Sequence, residues 1–222
     1  MNYNSEEYRK VREIVVNLII KKLEETYQDY IQNQEGFKEI PSFFKNYLYS
    51  PANKEERDRV LVELYHKLKT IVGQDLVENI QKLIELVKLS DELDFEITEE
   101  ILKDQAHTKK RLNHTTYNIN LQAIEKIIHK RDQYEKRKRQ ILLVCETLNF
   151  FFNLSKLPLV KLVMAPIKVA ASLVGAEILI ETMEEGYRIS KNIKDMKPFI
   201  NDFYKREMEY LESIKLKYTK SN

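Results

Sequence analysis

The fold is decided by a long apolar stretch in the second half of the chain, residues 141–180, which reads ILLVCETLNFFFNLSKLPLVKLVMAPIKVAASLVGAEILI. A helix that is apolar on every side is usually buried in a globular protein. Several small residues between positions 165 and 176 would let a neighbouring helix approach closely. We therefore predict a central apolar helical hairpin: one helix ends near Leu154, the chain turns near Pro158, and the next helix starts or kinks at Pro166.

Charges within this stretch argue against a simple membrane span. A spanning helix needs about 20 mostly apolar residues, and each charge at its centre costs about 3 kcal/mol. Every candidate window contains one of Lys156, Lys161, Lys168 or Glu177. The alternative is a helix lying in the membrane surface, with Lys161 and Lys168, seven positions apart, at the lipid headgroups.

The rest of the chain also has the character of a helical protein. Its 222 residues are 43% hydrophobic and 32% charged, and they include only four glycines and five prolines. Sandwiches and barrels need many more turn residues. Apolar residues recur at helical spacing in 8–31, 42–49, 53–73, 75–111, 121–154, 166–195 and from 198 onward, with Thr98 as the cap of a separate helix. We predict an all-α fold, a single bundle of about seven to eight helices.

One polar stretch without periodicity, residues 113–120, is the best internal linker. We predict a single domain over 1–222, with helices that pack across this linker; the alternative is two lobes, 1–112 and 121–222. The chain begins with polar and acidic residues and shows no secretory signal. The expected location is the cytoplasm, with peripheral attachment to the inner membrane as the alternative.

A basic segment precedes the apolar stretch. Between positions 107 and 139 there are ten lysines and arginines but only three acidic residues, so the rest of the chain is acidic overall. Such an asymmetry can bind phosphate groups. The candidate anion-binding residues are Lys130, Arg131, Lys136, Arg137, Lys138 and Arg139. A solvated helix face paired with acidic neighbours is the favoured interpretation. An anionic membrane is favoured over nucleic acid as a partner, because no base-stacking aromatic platform accompanies the segment.

Few residues suggest chemistry. Glu63 and His66 have the Glu-x-x-His spacing of di-iron bundles, which need that motif twice. Glu146 and Glu177 stand among apolar neighbours, where a carboxylate needs a partner or becomes protonated. Pairing with Lys161, Lys168 or an arginine is the simpler interpretation. No phosphate loop or nucleophile elbow is present, so no catalytic residue and no cofactor is predicted.

A pattern in the first half of the chain carries a family resemblance. Residues 43–49 read FFKNYLY, an SP dipeptide follows at 50–51 and an RD dipeptide at 57–58, and a later helix reads LSDELD at 89–94. This pattern resembles a family of bacterial proteins named for an FFLEELY motif. The departure is at 45–47, where KNY stands in place of Leu-Glu-Glu. The resemblance implies a helical fold and supplies no substrate. The positions that carry it are Phe43, Phe44, Leu48, Tyr49, Pro51, Arg57, Asp58, Glu92 and Asp94.

These positions also have a structural interpretation. Phe43, Phe44 and Leu48 would fill an apolar gap between helices. Arg57 could hold two helix ends together through a bidentate pair with Glu92 or Asp94. This interpretation ranks above a catalytic role.

Two classes of function remain open. The favoured one is a non-enzymatic interaction or peripheral membrane module, whose partner is a second copy of the chain or an anionic membrane surface. The alternative is an enzyme or carrier with an internal pocket for a metal or an apolar ligand, built near Glu63, His66, Glu146 and Glu177.

Overall fold

The computed structural model describes residues 5–33, 35–48, 59, 62–67, 73–112, 119–157 and 160–220. Every regular element within these ranges is helical, which confirms the predicted all-α class. Residues 62–67 are helical as well. The helices with complete bounds are α1 Glu6–Thr26, α2 Gln28–Asn33, α3 Ile40–Phe43, α4 Gln74–Leu112, α5 Leu121–Lys130, α6 Tyr134–Ser155, α7 Val160–Ser172, α8 Glu177–Lys191 and α9 Lys197–Thr219.

Helix α6 occupies the centre of the bundle. It packs against α4, α8 and α9. Helix α4 also packs against α1. The buried side chains of α6 include Leu143, Phe150 and Phe151. Helix α8 approaches α6 closely at Gly186, where an added methyl group would lie 2.6 Å from the Phe151 ring. The apolar end of α6 and the glycine of α8 are thus in close contact in the core.

Two helices that the sequence pattern predicts as continuous are broken by left-handed residues. The predicted helix 121–154 is interrupted between α5 and α6 at Asp132, which has a φ of 48°. The expected continuity beyond Pro166 ends at Gly175, which has a φ of 73°. Gln133 and Ala176 donate their N–H groups to Ile128 and Ala171, at 3.0 and 2.9 Å. These bonds span five positions and close the ends of α5 and α7 in Schellman fashion.

The sequence predicts that Pro166 either starts or kinks the helix after the turn, and the first alternative is wrong. Pro166 lies inside α7, which begins at Val160. α7 packs on α8, and α8 in turn packs on α6. The long apolar stretch is therefore divided among three helices, of which α6 is central.

Helix α4 is longer than predicted. It runs through position 98, where the pattern predicts the cap of a separate helix. The Thr98 hydroxyl instead donates to the Asp94 carbonyl oxygen at 2.7 Å. A threonine that bonds back to the preceding turn satisfies its polar group without interrupting the helix.

The N-terminal helices pack against the last one. The N-cap of α1 is Ser5, whose Oγ accepts from the Tyr8 N–H at 3.2 Å. Tyr27 stacks on Phe203 with ring centroids 5.4 Å apart, and Phe37 lies 4.9 Å from Phe199. Within the described ranges, no helix combines the length and the apolar character that crossing a membrane requires.

Candidate functional sites

The outward face of α7 exposes large apolar side chains, which a helix in contact with water usually buries. One side of α7 is buried through Met164, Ile167, Ala170 and Ala171. On the opposite side, Val169 is 62% exposed and Leu173 is 69% exposed. Large apolar side chains exposed on a helix that is itself apolar indicate a contact surface. We call this surface the α7 face; it consists of Ala165, Lys168, Val169, Ser172 and Leu173.

The charges beside the α7 face have both signs. Lys168 forms an ion pair with Glu184 of α8. Glu177, Glu181 and Glu184 are exposed along one side of α8. The surroundings of the α7 face are therefore more acidic than basic.

The basic segment lies against an acidic row on α4. Arg139 binds Glu85 through two bonds of 2.7 Å. Lys136 contacts Glu92 at 2.7 Å and Glu96 at 2.8 Å. We call this arrangement the charged seam. Its carboxylates are Glu85, Glu92, Glu96, Glu99 and Glu100, and its cations are Lys130, Arg131, Lys136 and Arg139.

The seam changes the acidity of its members. The hydrogen bond from Arg139 lowers the pKa of Glu85, although partial burial opposes it. The hydrogen bond from Lys130 lowers the pKa of Glu100, and Arg131 adds to the effect. These carboxylates stay ionised, and they neutralise the cations opposite them.

The two remaining basic candidates are placed differently. Lys138 contacts Glu135 at 3.0 Å and Glu212 at 3.9 Å. Arg137 points inward, where its Nη1 donates to the Gln140 Oε1 at 2.9 Å. The structure thus gathers the six predicted basic residues on α5 and α6, and five of them have carboxylate partners.

Buried charges lie behind the seam, between α1, α4 and α6. Arg12 donates to Asp91 at 2.9 Å, and both side chains are buried. Asp94 has no exposed surface, and neither of its carboxylate oxygens has a hydrogen-bond partner within the described residues. Burial raises the pKa of Asp94 to about 6, with Arg137 and Arg12 opposing the shift and Asp91 adding to it.

A half-open cavity of about 120 Å³ lies among α1, α5, α6 and α9. Its walls are mostly aliphatic and aromatic side chains from these helices, together with Phe44. Polar groups occur at two places. Arg137 and Gln140 belong to one, and Lys22, Glu207 and Tyr210 belong to the other.

The four predicted metal candidates do not lie on this cavity. Glu63 is exposed and faces Arg59 at 3.6 Å, and His66 packs edge-on against the ring of Tyr65. In the part of the chain that the structure describes, no three histidine, cysteine, aspartate or glutamate side chains lie close enough to hold a metal ion.

The other two metal candidates lie elsewhere in the bundle. Glu146 faces Lys82 at 3.3 Å, and Glu177 is exposed in the first turn of α8. Glu146 thus pairs with a lysine of α4, whereas the sequence pattern predicts Lys161, Lys168 or an arginine as its partner.

The residues that carry the family resemblance are only partly described. Phe43 and Phe44 are buried; Phe43 meets Phe151 edge-on at 5.8 Å, and Phe44 stacks near Phe203 at 6.4 Å. Leu48 ends a π-helical turn. Glu92 belongs to the charged seam and Asp94 to the buried charges. The positions outside the described residues are Tyr49, Pro51, Arg57 and Asp58.

Sequence reasoning missed the polar residues that the fold brings to the interior. Arg12 and Asp91 are 79 positions apart, and Lys22 and Glu207 are 185 positions apart. The available signal was weak: Arg12 follows Val11 and precedes Val15 on the apolar side of α1. A charged residue on the buried side of a helix implies an interior partner, but the sequence does not say which one.

The fold and these sites define an all-α bundle with a charged interior and an open apolar helix. Over residues 3–220 the chain matches a family described as Domain of unknown function (DUF8198). The chain belongs to this family. No curated protein and no solved structure matches it.

Proposed function

We propose that this protein is a non-enzymatic interaction module, and that the α7 face binds a second copy of the chain. The observation that carries the proposal is the exposure of Val169 and Leu173 on a helix whose opposite side is buried in the core. Scattered single apolar residues on a surface need no explanation, whereas large exposed apolar side chains that adjoin on one helix face, as Val169 and Leu173 do, indicate a contact.

The layout of the α7 face suits a two-fold interface. Val169 stands at the middle of the face, and the small residues Ala165 and Ser172 lie on either side of it. In an interface between two identical surfaces, a central residue meets its own copy across the axis. Small neighbours let the two helices approach closely, so that Leu173 can pack beside the opposing helix.

The charges favour a second copy over an anionic membrane. The exposed glutamates 177, 181 and 184 of α8 would be repelled by anionic headgroups. The mixed pair of Lys168 and Glu184 can instead be matched by the same pair on a partner. The basic segment adds little attraction for lipid, because the carboxylates of the charged seam neutralise most of it.

A cysteine at the centre of the α7 face tests the proposal. Val169→Cys should cross-link to its own copy with a short bis-maleimide reagent and give a covalent dimer. Burial raises the pKa of the native thiol, Cys145, to about 12, so it reacts slowly. The matched control is Leu216→Cys on α9, which is 58% exposed and lies away from the α7 face. Equal yields of dimer from both variants would overturn the proposal.

A second experiment separates self-association from lipid binding. Val169→Glu should shift the mass of the protein from dimer to monomer in light scattering, and Leu216→Glu should leave it unchanged. Flotation with phosphatidylserine vesicles should show no bound protein. A monomeric wild type that floats with the vesicles, and loses this with Val169→Glu, would establish the membrane as the partner and reject the second copy.

Three finer expectations remain predictions. They are the resemblance to proteins named for an FFLEELY motif, a bacterial origin, and a cytoplasmic location. The proposed dimer is compatible with each of them and depends on none.

A further inference from the structure

We propose that this half-open cavity among α1, α5, α6 and α9 binds a small organic carboxylate with a compact apolar body, and that the guanidinium of Arg137 holds the carboxylate. This inference is independent of the self-association proposed above, since the cavity and the α7 face share no residue.

The size of the cavity limits the ligand. Its volume is about 120 Å³, and an apolar cavity of roughly 150 Å³ in another protein holds benzene. The body of the ligand therefore has about six non-hydrogen atoms. Aliphatic walls from α5 and α9, with Ile124, Ile128 and Ile214 among them, favour a ring or a branched chain over a polar body.

The hydrogen bonds of Arg137 leave room for an anion. A guanidinium has five N–H donors. Those of Arg137 reach two amide oxygens, Gln140 Oε1 at 2.9 Å and Gln133 Oε1 at 3.4 Å. The Nε of Arg137 is buried and has no acceptor within the described part of the chain. Nη1 and Nη2 each keep a second N–H, and a carboxylate in the cavity that accepts from both would make the bidentate contact that arginine favours.

The orientation of Gln140 supports this role for Arg137. Its Nε2 donates to the Ser90 hydroxyl at 2.9 Å, so its Oε1 is turned towards the guanidinium. The side chain of Gln140 is buried and lines the cavity next to Arg137. Gln140 therefore positions the guanidinium without neutralising its charge.

The other polar part of the cavity is already occupied by its own partners. Lys22 donates to both oxygens of Glu207, at 2.6 and 2.5 Å. The Tyr27 hydroxyl donates to the same carboxylate at 3.0 Å. This pair carries no net charge, so an anionic ligand would gain no net electrostatic attraction by binding beside it. The carboxylate of the ligand is thus directed to Arg137 and its apolar body towards α9.

Asp94 is an internal competitor for the charge of Arg137. It is fully buried and makes no hydrogen bond with its carboxylate in the described residues. The charged groups that act on it are Arg137 of α6, Arg12 of α1 and Asp91 of α4. A bound carboxylate adds a negative charge near Asp94 and favours its protonation. Because burial already raises the pKa of Asp94 to about 6, binding should strengthen as the pH falls from 7.5 to 5.5.

The pH signature distinguishes the site from titration of the ligand. An ordinary carboxylic acid has a pKa of about 4.3 and stays ionised throughout this range. A proton taken up from solvent on binding would therefore be bound by the protein and not by the ligand. The reciprocal effect follows by linkage: the carboxylate raises the pKa of Asp94 by as much as protonation of Asp94 tightens binding.

The test uses benzoate as the probe and benzyl alcohol as its uncharged counterpart, with calorimetric titration of the full chain. Benzoate should bind at least tenfold more tightly than benzyl alcohol. Arg137→Met should remove this difference, whereas Arg139→Met, which changes a cation of the charged seam, should preserve it. Val144→Phe, which fills part of the cavity, should weaken both probes.

Asp94→Asn tests the same site while keeping Arg137. It should tighten benzoate binding about tenfold at pH 7.5 and abolish the pH dependence between 5.5 and 7.5. Equal binding of benzoate and benzyl alcohol to the wild type, no effect of Arg137→Met, or a pH dependence that survives Asp94→Asn would each overturn the proposal. None of these results depends on whether the protein is a dimer.

Discussion

Helices α6 and α7 follow one another in the chain, but they differ in which side chains they expose. The first half of α6 is strongly basic, yet its Lys136 and Arg139 are paired with carboxylates of α4 in the charged seam. Helix α7 is apolar, yet Val169 and Leu173 on its outer face lie open. The composition of a segment therefore does not determine what it exposes. The neighbouring helix decides, and α7 has a neighbour on one side only among the described residues.

The largest expected effect comes from the buried charges behind α6. Arg12→Met should lower the free energy of unfolding by about 3–5 kcal/mol, because it removes the buried cation that pairs with Asp91 at 2.9 Å. Urea denaturation followed by circular dichroism measures this change. Arg9→Met on the exposed side of α1 is the control and should change the free energy by less than about 0.5 kcal/mol. Equal losses in both variants would show that α1 does not depend on the buried pair.

The next effect in size concerns Asp94 and depends on pH. Its folded-state pKa of about 6 lies above that of an unfolded aspartate, so the folded protein binds the proton more tightly. The stabilisation from that proton is complete below about pH 3.9 and is lost as the pH rises through about 6. Asp94→Asn, which mimics the protonated form, should therefore be more stable than the wild type by roughly 1–3 kcal/mol at pH 7.5.

The pH series supplies the control for this prediction. The advantage of Asp94→Asn should shrink steadily as the pH falls from 7.5 towards 4, because the wild-type carboxyl then carries its own proton. Chemical denaturation at several pH values measures the difference directly. A difference that stays constant across the series would mean that Asp94 does not titrate in this range, and the electrostatic description of the buried charges would be wrong.

Much of the fold could be predicted from residue patterns, and the reasons for the misses are local. The all-α class followed from helical periodicity and the scarcity of turn residues. The break at Gly175 carried a glycine, the usual residue after a helix end, but its small size was attributed to helix packing. The break at Asp132 had no such signal, since aspartate visits the left-handed region only occasionally.

The sites were harder to predict because their parts are distant in sequence. The basic segment was visible, and so was the acidic row from Glu85 to Glu100. Their pairing depends on how α4 lies along α6, which neither pattern contains. The cavity combines α1 with α9, and no local spacing connects Lys22 with Glu207. The exposure of α7 could not be predicted either, because an apolar helix face has the same sequence pattern whether it packs on the core or on another protein.

A smaller effect is expected at the rim of the charged seam. Arg139→Met removes the pair with Glu85, whose members are both more than two-fifths exposed. Exposed pairs contribute about 0–1 kcal/mol, so the loss should fall well below that of Arg12→Met. Repeating the urea titration in 1 M sodium chloride should reduce the difference from the wild type further, since salt screens exposed charges. A loss as large as that of Arg12→Met would mean that the seam is not solvated.

The smallest effect on the isolated chain is expected at the α7 face, and it is the most informative. Leu173→Ser should change the unfolding free energy of the monomer by less than about 0.5 kcal/mol, because the side chain is already 69% exposed. Because only the folded state associates, the melting temperature of the wild type should rise with protein concentration. The variant should lose this rise while matching the wild type at high dilution. If the melting temperature of the wild type does not depend on protein concentration, the α7 face does not associate in solution. The difference between α6 and α7 would then lie in exposure alone.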